Sequence, residues 1–261
     1  MTNSSENDSY PETMVIVPTY NEADNINDLF QQILDLPVSI GIINVDDNSP
    51  DGTGQLADDW AAEHPGRIVP IHRAGKLGLG TAYIAGFKKA LSLPGVKRIM
   101  TMDADFSHNP RYIPAMIELS KTKHMAIGSR YVPGGGQKNC GWHRVILSRG
   151  ANGLAKTLLG LQAMDTTAGF RLYRRQVLET IPLDKIVSSG YSFLVEMLYL
   201  VQRYGFQVGE VPIIFEDRRA GTTKISRNEV FKGMATIGHL FLRRLSGDTP
   251  AQASVSVTSD Q

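Results

Sequence analysis

Short apolar runs rich in β-branched residues alternate with longer amphipathic stretches along the first half of the chain. Met14–Pro18, Ile40–Val45, Ile68–His72, Arg98–Met102 and Met125–Gly128 have strand length and end in polar loops, as strands buried on both faces do. Between them Asn25–Leu36, Thr53–His64, Leu79–Leu91 and Tyr112–Ser120 read as helices, with Thr53 as an N-cap and Pro110 just ahead of the last. Four rounds of strand and helix predict an α/β fold, a mostly parallel twisted sheet with right-handed crossovers and flanking helices.

After Arg130 the alternation lapses. A Gly-rich turn at Pro133–Gly136, a helix over Trp142–Leu161, a loop at Asp165–Arg171, a helix over Ser192–Tyr204 and a strand over Gln207–Phe215 are expected. Arg227–Leu245 reads as a final amphipathic helix with Val230, Met234, Ile237, Phe241 and Leu245 on one face. Residues 1–12 and 247–261 are polar and poor in apolar side chains, so disordered tails are expected around a single domain at 13–246.

With 261 residues, 42% of them hydrophobic, the chain can bury a large core without disulfide or structural metal. Cys140 is the only cysteine, which excludes an intrachain disulfide and multi-cysteine clusters and suits a reducing compartment. The apolar stretch Phe193–Val201 is far shorter than a membrane span and carries Glu196. Met1–Glu12 lacks the basic start and apolar middle of a secretory signal, so a cytoplasmic location is expected. The net charge of +1 hides a polarised chain: no Lys or Arg precedes Arg67, and no Asp or Glu lies between Glu118 and Asp165. An anionic partner is expected at the basic second half. Nucleic acid is not expected, because interleaved aromatics and a binding motif are missing.

In an open α/β sheet, ligands sit beyond the carboxyl ends of the strands. Three such loops are polar or acidic here: Pro18-Thr19-Tyr20-Asn21-Glu22, Asp46 to Thr53, and Asp103-Ala104-Asp105. Any one aspartate there could be a turn former, but three such loops on one rim point to a ligand. Asp103 and Asp105 are hard carboxylates one residue apart, able to hold a divalent ion whose other positions go to water and phosphate oxygens. Such an ion would neutralise a departing diphosphate. Gly75–Thr81 lacks the Walker Lys-Ser/Thr and the third glycine of a dinucleotide fingerprint, which excludes both classes; close packing at a helix start and a ligand contact stand equal there. The six histidines have no ligand spacing, and neither they nor Cys140 receive a role.

The motifs together are recognisable. Pro-Thr-Tyr-Asn-Glu (18–22), Val-Asp-Asp-Asn-Ser-Pro-Asp-Gly-Thr (45–53), Lys-Leu-Gly-Leu-Gly-Thr-Ala-Tyr (76–83), Met-Asp-Ala-Asp-Phe-Ser-His (102–108), Gly-Ser-Arg-Tyr (128–131) and Ser-Arg-Gly-Ala-Asn (148–152) resemble the dolichyl-phosphate (polyprenol-phosphate) mannose synthases. Gly-Phe-Arg-Leu-Tyr-Arg (169–174) and Gly-Glu-Val-Pro-Ile (209–213) extend the resemblance over roughly Met14 to Arg243. It implies an inverting glycosyltransferase of the GT-A fold, with C-terminal amphipathic helices, that uses GDP-mannose, a polyprenyl (dolichyl-type) phosphate, and Mg2+ or Mn2+. By motif it implies Pro18, Tyr20, Glu22, Val45 and Asp47 around the nucleoside. Asp103, Ala104 and Asp105 fall at the diphosphate and metal, with Ser107 where some members have a glutamine ligand. Arg218 and Lys224 match a basic loop over the donor, and Arg130, Arg144 and Ser148 match acceptor-phosphate contacts. Asp105 and Arg130 are the catalytic candidates.

Chemistry supports a phosphate acceptor independently. A sugar hydroxyl needs a general base. A phosphate monoester, with a second pKa near ~6, is mostly a dianion at neutral pH and needs cationic placement instead, which suits arginine. Glu196 is the base candidate for a hydroxyl acceptor, or else a buried carboxylate paired with an arginine. Leu147, Leu154, Leu158 and Leu161 share a helix side near Arg144, Arg149 and Lys156, either an interfacial helix on the cytoplasmic face of a membrane or a core-facing one. A separate membrane subunit stays open. The alternatives are transfer of glucose or another sugar to a lipid acceptor, and a non-catalytic nucleotide-sugar-binding scaffold.

Overall fold

The computed structural model describes residues 10–138, 142–186, 188, 190, 192–216 and 227–246, with side chains at all of these except 142–147 and 227–232. The strands are β1 (Thr13–Thr19), β2 (Ile40–Asp46), β3 (Ile68–His72), β4 (Arg98–Thr101), β5 (Met125–Ser129), β6 (Gly136–Lys138), β7 (Arg171–Arg174), β8 (Val208–Pro212) and β9 (Ile214–Glu216). The helices are α1 (Ala23–Leu34), α2 (Thr53–Glu63), α3 (Leu79–Ser92), α4 (Ile113–Leu119), α5 (Trp142–Leu159), α6 (Arg175–Thr180), α7 (Ser192–Arg203) and α8 (Arg227–Leu245).

Seven strands form one sheet in the order β3-β2-β1-β4-β7-β5-β8, parallel except for β7, which runs antiparallel to β4 and β5. Alternate residues of β1 feed two cores. Val15 and Val17 join Ile26, Phe30 and Ile33 of α1, while Met14 and Ile16 join Tyr83 and Phe87 of α3 and Phe193 of α7. Helices on both faces explain why these strands read as continuous apolar runs. The close seat of α3 depends on Gly86, where a Cβ would lie 2.5 Å from Ile16 Cγ2. The order reverses between β1 and β4, so the loops that follow them diverge and open a crevice at their carboxyl ends.

The expected alternation over the first half is present, and the structure differs from expectation in three places, two of them in the second half. Arg171–Arg174, read as following a loop, is a central strand. The expected strand over 207–215 is divided at Ile213: β8 pairs with β5, and β9 pairs with β6 just beyond the Gly-rich turn. Tyr10–Glu12, placed in a disordered tail by composition, is tied down by the Glu12 carboxylate, 2.7 Å from Lys97 Nζ and 3.1 Å from Arg98 Nη1. Residues 1–9 and 247–261 lie outside the described residues.

The amphipathic faces also shift. On α8, Ile237 and Leu240 are buried, whereas Met234 and Leu245, which spacing placed on the same face as Ile237, point outward with Leu242. Val230 and Leu147 are among the side chains outside the description. On α5, Ala155 and Leu159 are buried, Leu158 packs half-buried against the core, and Leu154 is exposed. Leu161, placed by spacing on the same helix side as Leu154, is buried just beyond the helix. A stripe defined by spacing alone fixes the period of a helix but not which side its neighbours cover.

Candidate active site

Two of the rim loops are stitched together by their own polar groups. The Asn21 N–H donates to Ser49 Oγ at 3.0 Å, Glu22 N–H to Thr53 Oγ1 at 3.0 Å, and Ala23 N–H to Asp51 Oδ2 at 3.0 Å. Asp46, buried at the end of β2, accepts from Thr19 Oγ1 at 3.0 Å and from Ser49 N–H at 2.9 Å. Much of the polar character here is therefore structural. Each of the three rim loops also holds one non-glycine residue in left-handed conformation: Asn21 (φ 59°), Asn48 (φ 59°) and Phe106 (φ 61°). Asparagine tolerates that region; for phenylalanine it is strained, and such strain concentrates at functional sites.

On the nucleoside side, Pro18 is half-buried, Val45 fully buried and Tyr20 exposed. Lys76 Nζ sits 4.4 Å from the Tyr20 ring centroid. Asp47 is buried with Arg73, whose Nη1 lies 2.8 Å from Asp47 Oδ1. Burial raises the Asp47 carboxyl above its usual range despite the lowering effect of Arg73. The Glu22 carboxylate accepts from Asn25 Nδ2 at 2.7 Å. Sequence reading missed Arg73 and Lys76, although Lys76 lies in a motif it quoted.

The loop after β4 carries Asp103, Ala104 and Asp105. Asp103 stands at the mouth with its side chain 35% exposed, and Asp105 is nearly buried at 8%. Asp105 Oδ1 accepts from Ser107 N–H at 3.1 Å and Ser107 Oγ at 2.6 Å, hydrogen bonds that orient the carboxylate and keep Ser107, the third metal candidate, beside it. Asp103 N–H donates to His108 Nδ1 at 3.1 Å, and His108 stacks on Phe170 at 5.2 Å between centroids. His108 thus has a structural role that spacing did not reveal. Tyr83 donates its hydroxyl to Asp103 Oδ1 at 3.2 Å. Burial first, then the Asp103 charge, pushes the Tyr83 phenol far above its ordinary range, so it stays a donor.

Two carboxylates on one short loop are a donor set suited to a hard divalent ion. Among the described residues no third His, Cys, Asp or Glu completes a cage, which leaves coordination positions for phosphate oxygens and water.

Across the crevice Arg130 follows β5. Its Nε and Nη2 donate to Asp165 Oδ2 and Oδ1, both at 2.7 Å, its N–H donates to Oδ2 at 3.0 Å, and Nη2 also reaches Thr167 Oγ1 at 2.9 Å. Asp165 is completely buried. Burial would raise its carboxyl, but the hydrogen bonds and charge of Arg130 outweigh that and hold it below the usual range. The backbone of 164–165 is clamped in turn by Glu210, which accepts from Met164 N–H at 2.8 Å and Asp165 N–H at 3.0 Å. Ser148, on α5, accepts from the Tyr131 hydroxyl at 2.9 Å, adjoining the Arg130 segment. The backbone of Arg144 belongs to α5, but its side chain lies outside the description, as do Arg218 and Lys224 entirely.

Glu196 is buried on α7. Among the described residues it accepts from the Ser188 N–H at 3.0 Å and from the Ser188 hydroxyl, and no arginine, the partner in one of its two readings, is paired with it. The nearby cation Arg171 is spent on main-chain carbonyls of Thr166, Ala168 and Leu194 at 2.6–2.9 Å.

This geometry can be set beside known proteins. The chain is 41% identical over 88% of its length to a polyprenol monophosphomannose synthase of Mycolicibacterium smegmatis, covering 87% of that protein. It is also 41% identical over 86% of its length to an undecaprenyl-phosphate mannosyltransferase of Micrococcus luteus, covering 91% of it. Among solved structures, a glucosyl-3-phosphoglycerate synthase from Mycobacterium tuberculosis with Mn2+ and UDP aligns over 88% of this chain and 80% of that one (TM-score 0.62, 16% identity). A Pyrobaculum calidifontis mannosyltransferase with GDP-Man and Mn2+ aligns over 92% and 66% (TM-score 0.58, 15% identity). These two similarities establish the GT-A fold. Because the profile of the family described as glycosyl transferase family 2 matches residues 14–182, well over half of the sequence, the chain belongs to glycosyl transferase family 2 and is a glycosyltransferase.

Proposed function

We propose that this glycosyltransferase moves mannose from GDP-mannose to a polyprenyl monophosphate with inversion, releasing GDP and polyprenyl-phosphate β-mannose. The observation that carries the reading is the 41% identity, over most of both chains, to two relatives named as mannose transferases to lipid phosphates. The donor reading is supported by a mannosyltransferase of the same fold that holds GDP-Man. The test is a donor comparison: with a short polyprenyl phosphate, radiolabelled GDP-mannose should give lipid-soluble label and UDP-glucose should not, and the reverse would refute the donor assignment.

In this reading Tyr20, Lys76 and the Asp47–Arg73 pair face the nucleoside, and Asp103 and Asp105 hold Mg2+ or Mn2+. Bound there, the ion supplies Lewis-acid charge for the departing diphosphate. Arg130, Arg144 and Ser148 receive the acceptor phosphate, whose dianion attacks the anomeric carbon from the face opposite GDP. Asp165 and Thr167 fix the Arg130 guanidinium in advance, so little conformational freedom is lost when phosphate arrives. No protein base is required, in keeping with a Glu196 that is buried and bound to Ser188. Arg144→Ala should weaken lipid-phosphate use about ten- to a hundredfold, the value of a charge-assisted hydrogen bond, and leave GDP affinity unchanged. Calorimetry showing the opposite pattern would exchange the two ends of the site.

No helix among the described residues is long and apolar enough to cross a membrane. Peripheral attachment at the cytoplasmic face is the reading that fits a lipid acceptor. It is supported by the outward Leu154, Met234, Leu242 and Leu245 and by Arg243 and Arg244 at the end of α8. Leu154→Ser with Leu242→Ser should reduce binding to anionic vesicles several-fold at unchanged thermal stability, and added salt should release the wild type. Leu159→Ala, a core change, should instead cost about 2–5 kcal/mol of stability. Unaltered vesicle binding by the double serine variant would remove these faces from the account.

A further inference from the structure

Tyr83 is fully buried, and its position is determined by packing rather than by the crevice. Its ring stacks on Phe87 and Phe193 at centroid distances of 6.4 and 5.9 Å. The helix that carries it is pressed against the sheet at Gly86, where a Cβ would lie 2.5 Å from Ile16 Cγ2. It meets α7 at Gly80, where a Cβ would lie 3.1 Å from Phe193 Cβ. A phenol held this firmly has little rotational freedom. Its hydroxyl emerges from the core at Asp103 Oδ1, 3.2 Å away, beneath a carboxylate that is itself 35% exposed.

We propose that Tyr83 is a positioning residue for divalent-ion binding: its hydroxyl fixes the Asp103 carboxylate in the orientation from which it meets Mg2+ or Mn2+. An exposed aspartate otherwise samples several rotamers, and ordering it costs free energy when the ion arrives. The hydroxyl occupies one carboxylate oxygen from the core side and so sets the direction of the other. His108 restrains the same residue through its main chain, accepting from Asp103 N–H at 3.1 Å. Together the two residues fix both the backbone and the side chain of Asp103. Hydrogen-bond partners of metal ligands typically change metal affinity 10–100-fold when removed. The inference rests on the reading that Asp103 holds the ion.

The test titrates Mn2+ into the full chain with GDP present and reads free Mn2+ by electron paramagnetic resonance, below all unfolding transitions. Tyr83→Phe keeps the aromatic packing and should raise the Mn2+ dissociation constant about 10-fold. Turnover should recover towards the wild-type kcat at saturating Mn2+. Tyr173→Phe removes another fully buried phenol, on β7, and should leave the Mn2+ constant unchanged, which separates positioning from general loosening of the core. Wild-type Mn2+ affinity in Tyr83→Phe, or equal weakening in Tyr173→Phe, would overturn the inference. Asp103→Asn is the reference: if it too binds Mn2+ normally, the metal assignment itself fails.

Discussion

Asp105→Asn should lower turnover by at least about a thousandfold, because a Lewis acid at a departing diphosphate supplies several kcal/mol and each 1.36 kcal/mol is tenfold in rate. Asparagine is the informative replacement. It retains an oxygen to accept from Ser107 N–H and Oγ, so the hydrogen bonds that hold the loop through Phe106 survive while the negative charge and one ligating oxygen are removed. Steady-state rates across a Mn2+ titration, with thermal unfolding as control, check this. An unchanged melting temperature with lost activity is expected; wild-type activity in excess chelator would remove the ion from the account.

Asp165→Asn should markedly lower stability. It leaves the Arg130 guanidinium, 13% exposed, without its buried countercharge. Breaking a buried pair costs about 3–5 kcal/mol, and the partial exposure of Arg130 argues for the lower end. At about 2–4 °C per kcal/mol for a domain of this size, the melting temperature should fall by roughly 6–12 °C. The pH dependence has a defined sign. The folded carboxyl titrates below its unfolded value of about 3.9, so its stabilisation is complete above that pH and is lost as pH falls through the folded value. Asp165→Asn should therefore flatten the acid limb of the stability profile. A variant that melts with the wild type and keeps the same acid limb would show that the pair contributes nothing.

The parallel half of the fold is legible because strands covered on both faces must be apolar throughout, and β1, β2 and β4 are. β7 is not legible because Arg171 lies inside it, and only the tertiary structure supplies the carbonyls that make a buried guanidinium tolerable. β9 is lost for another reason: one apolar run crosses between two sheets at Ile213, and periodicity records no change of partner. At the site, sequence finds groups that stand at strand ends, such as Asp47, Asp103 and Asp105. It does not find Arg73, the partner of Asp47, Tyr83, the partner of Asp103, or Asp165, the partner of Arg130, each of which comes from 20 to 35 positions away. One signal for Asp165 was available, since it is the acid that ends the long acid-free stretch.

The most direct test of the central claim offers one donor, GDP-mannose, to two acceptors that differ only in their head group, a short polyprenyl phosphate and the corresponding polyprenol, and determines the anomeric configuration of the product by NMR. The proposed function predicts β-mannosyl phosphate lipid from the phosphate and no transfer to the alcohol, because it assigns Arg130 and Arg144 to a dianion and assigns no base to a hydroxyl. Mannosylation of the alcohol, or an α-linked product, would contradict it.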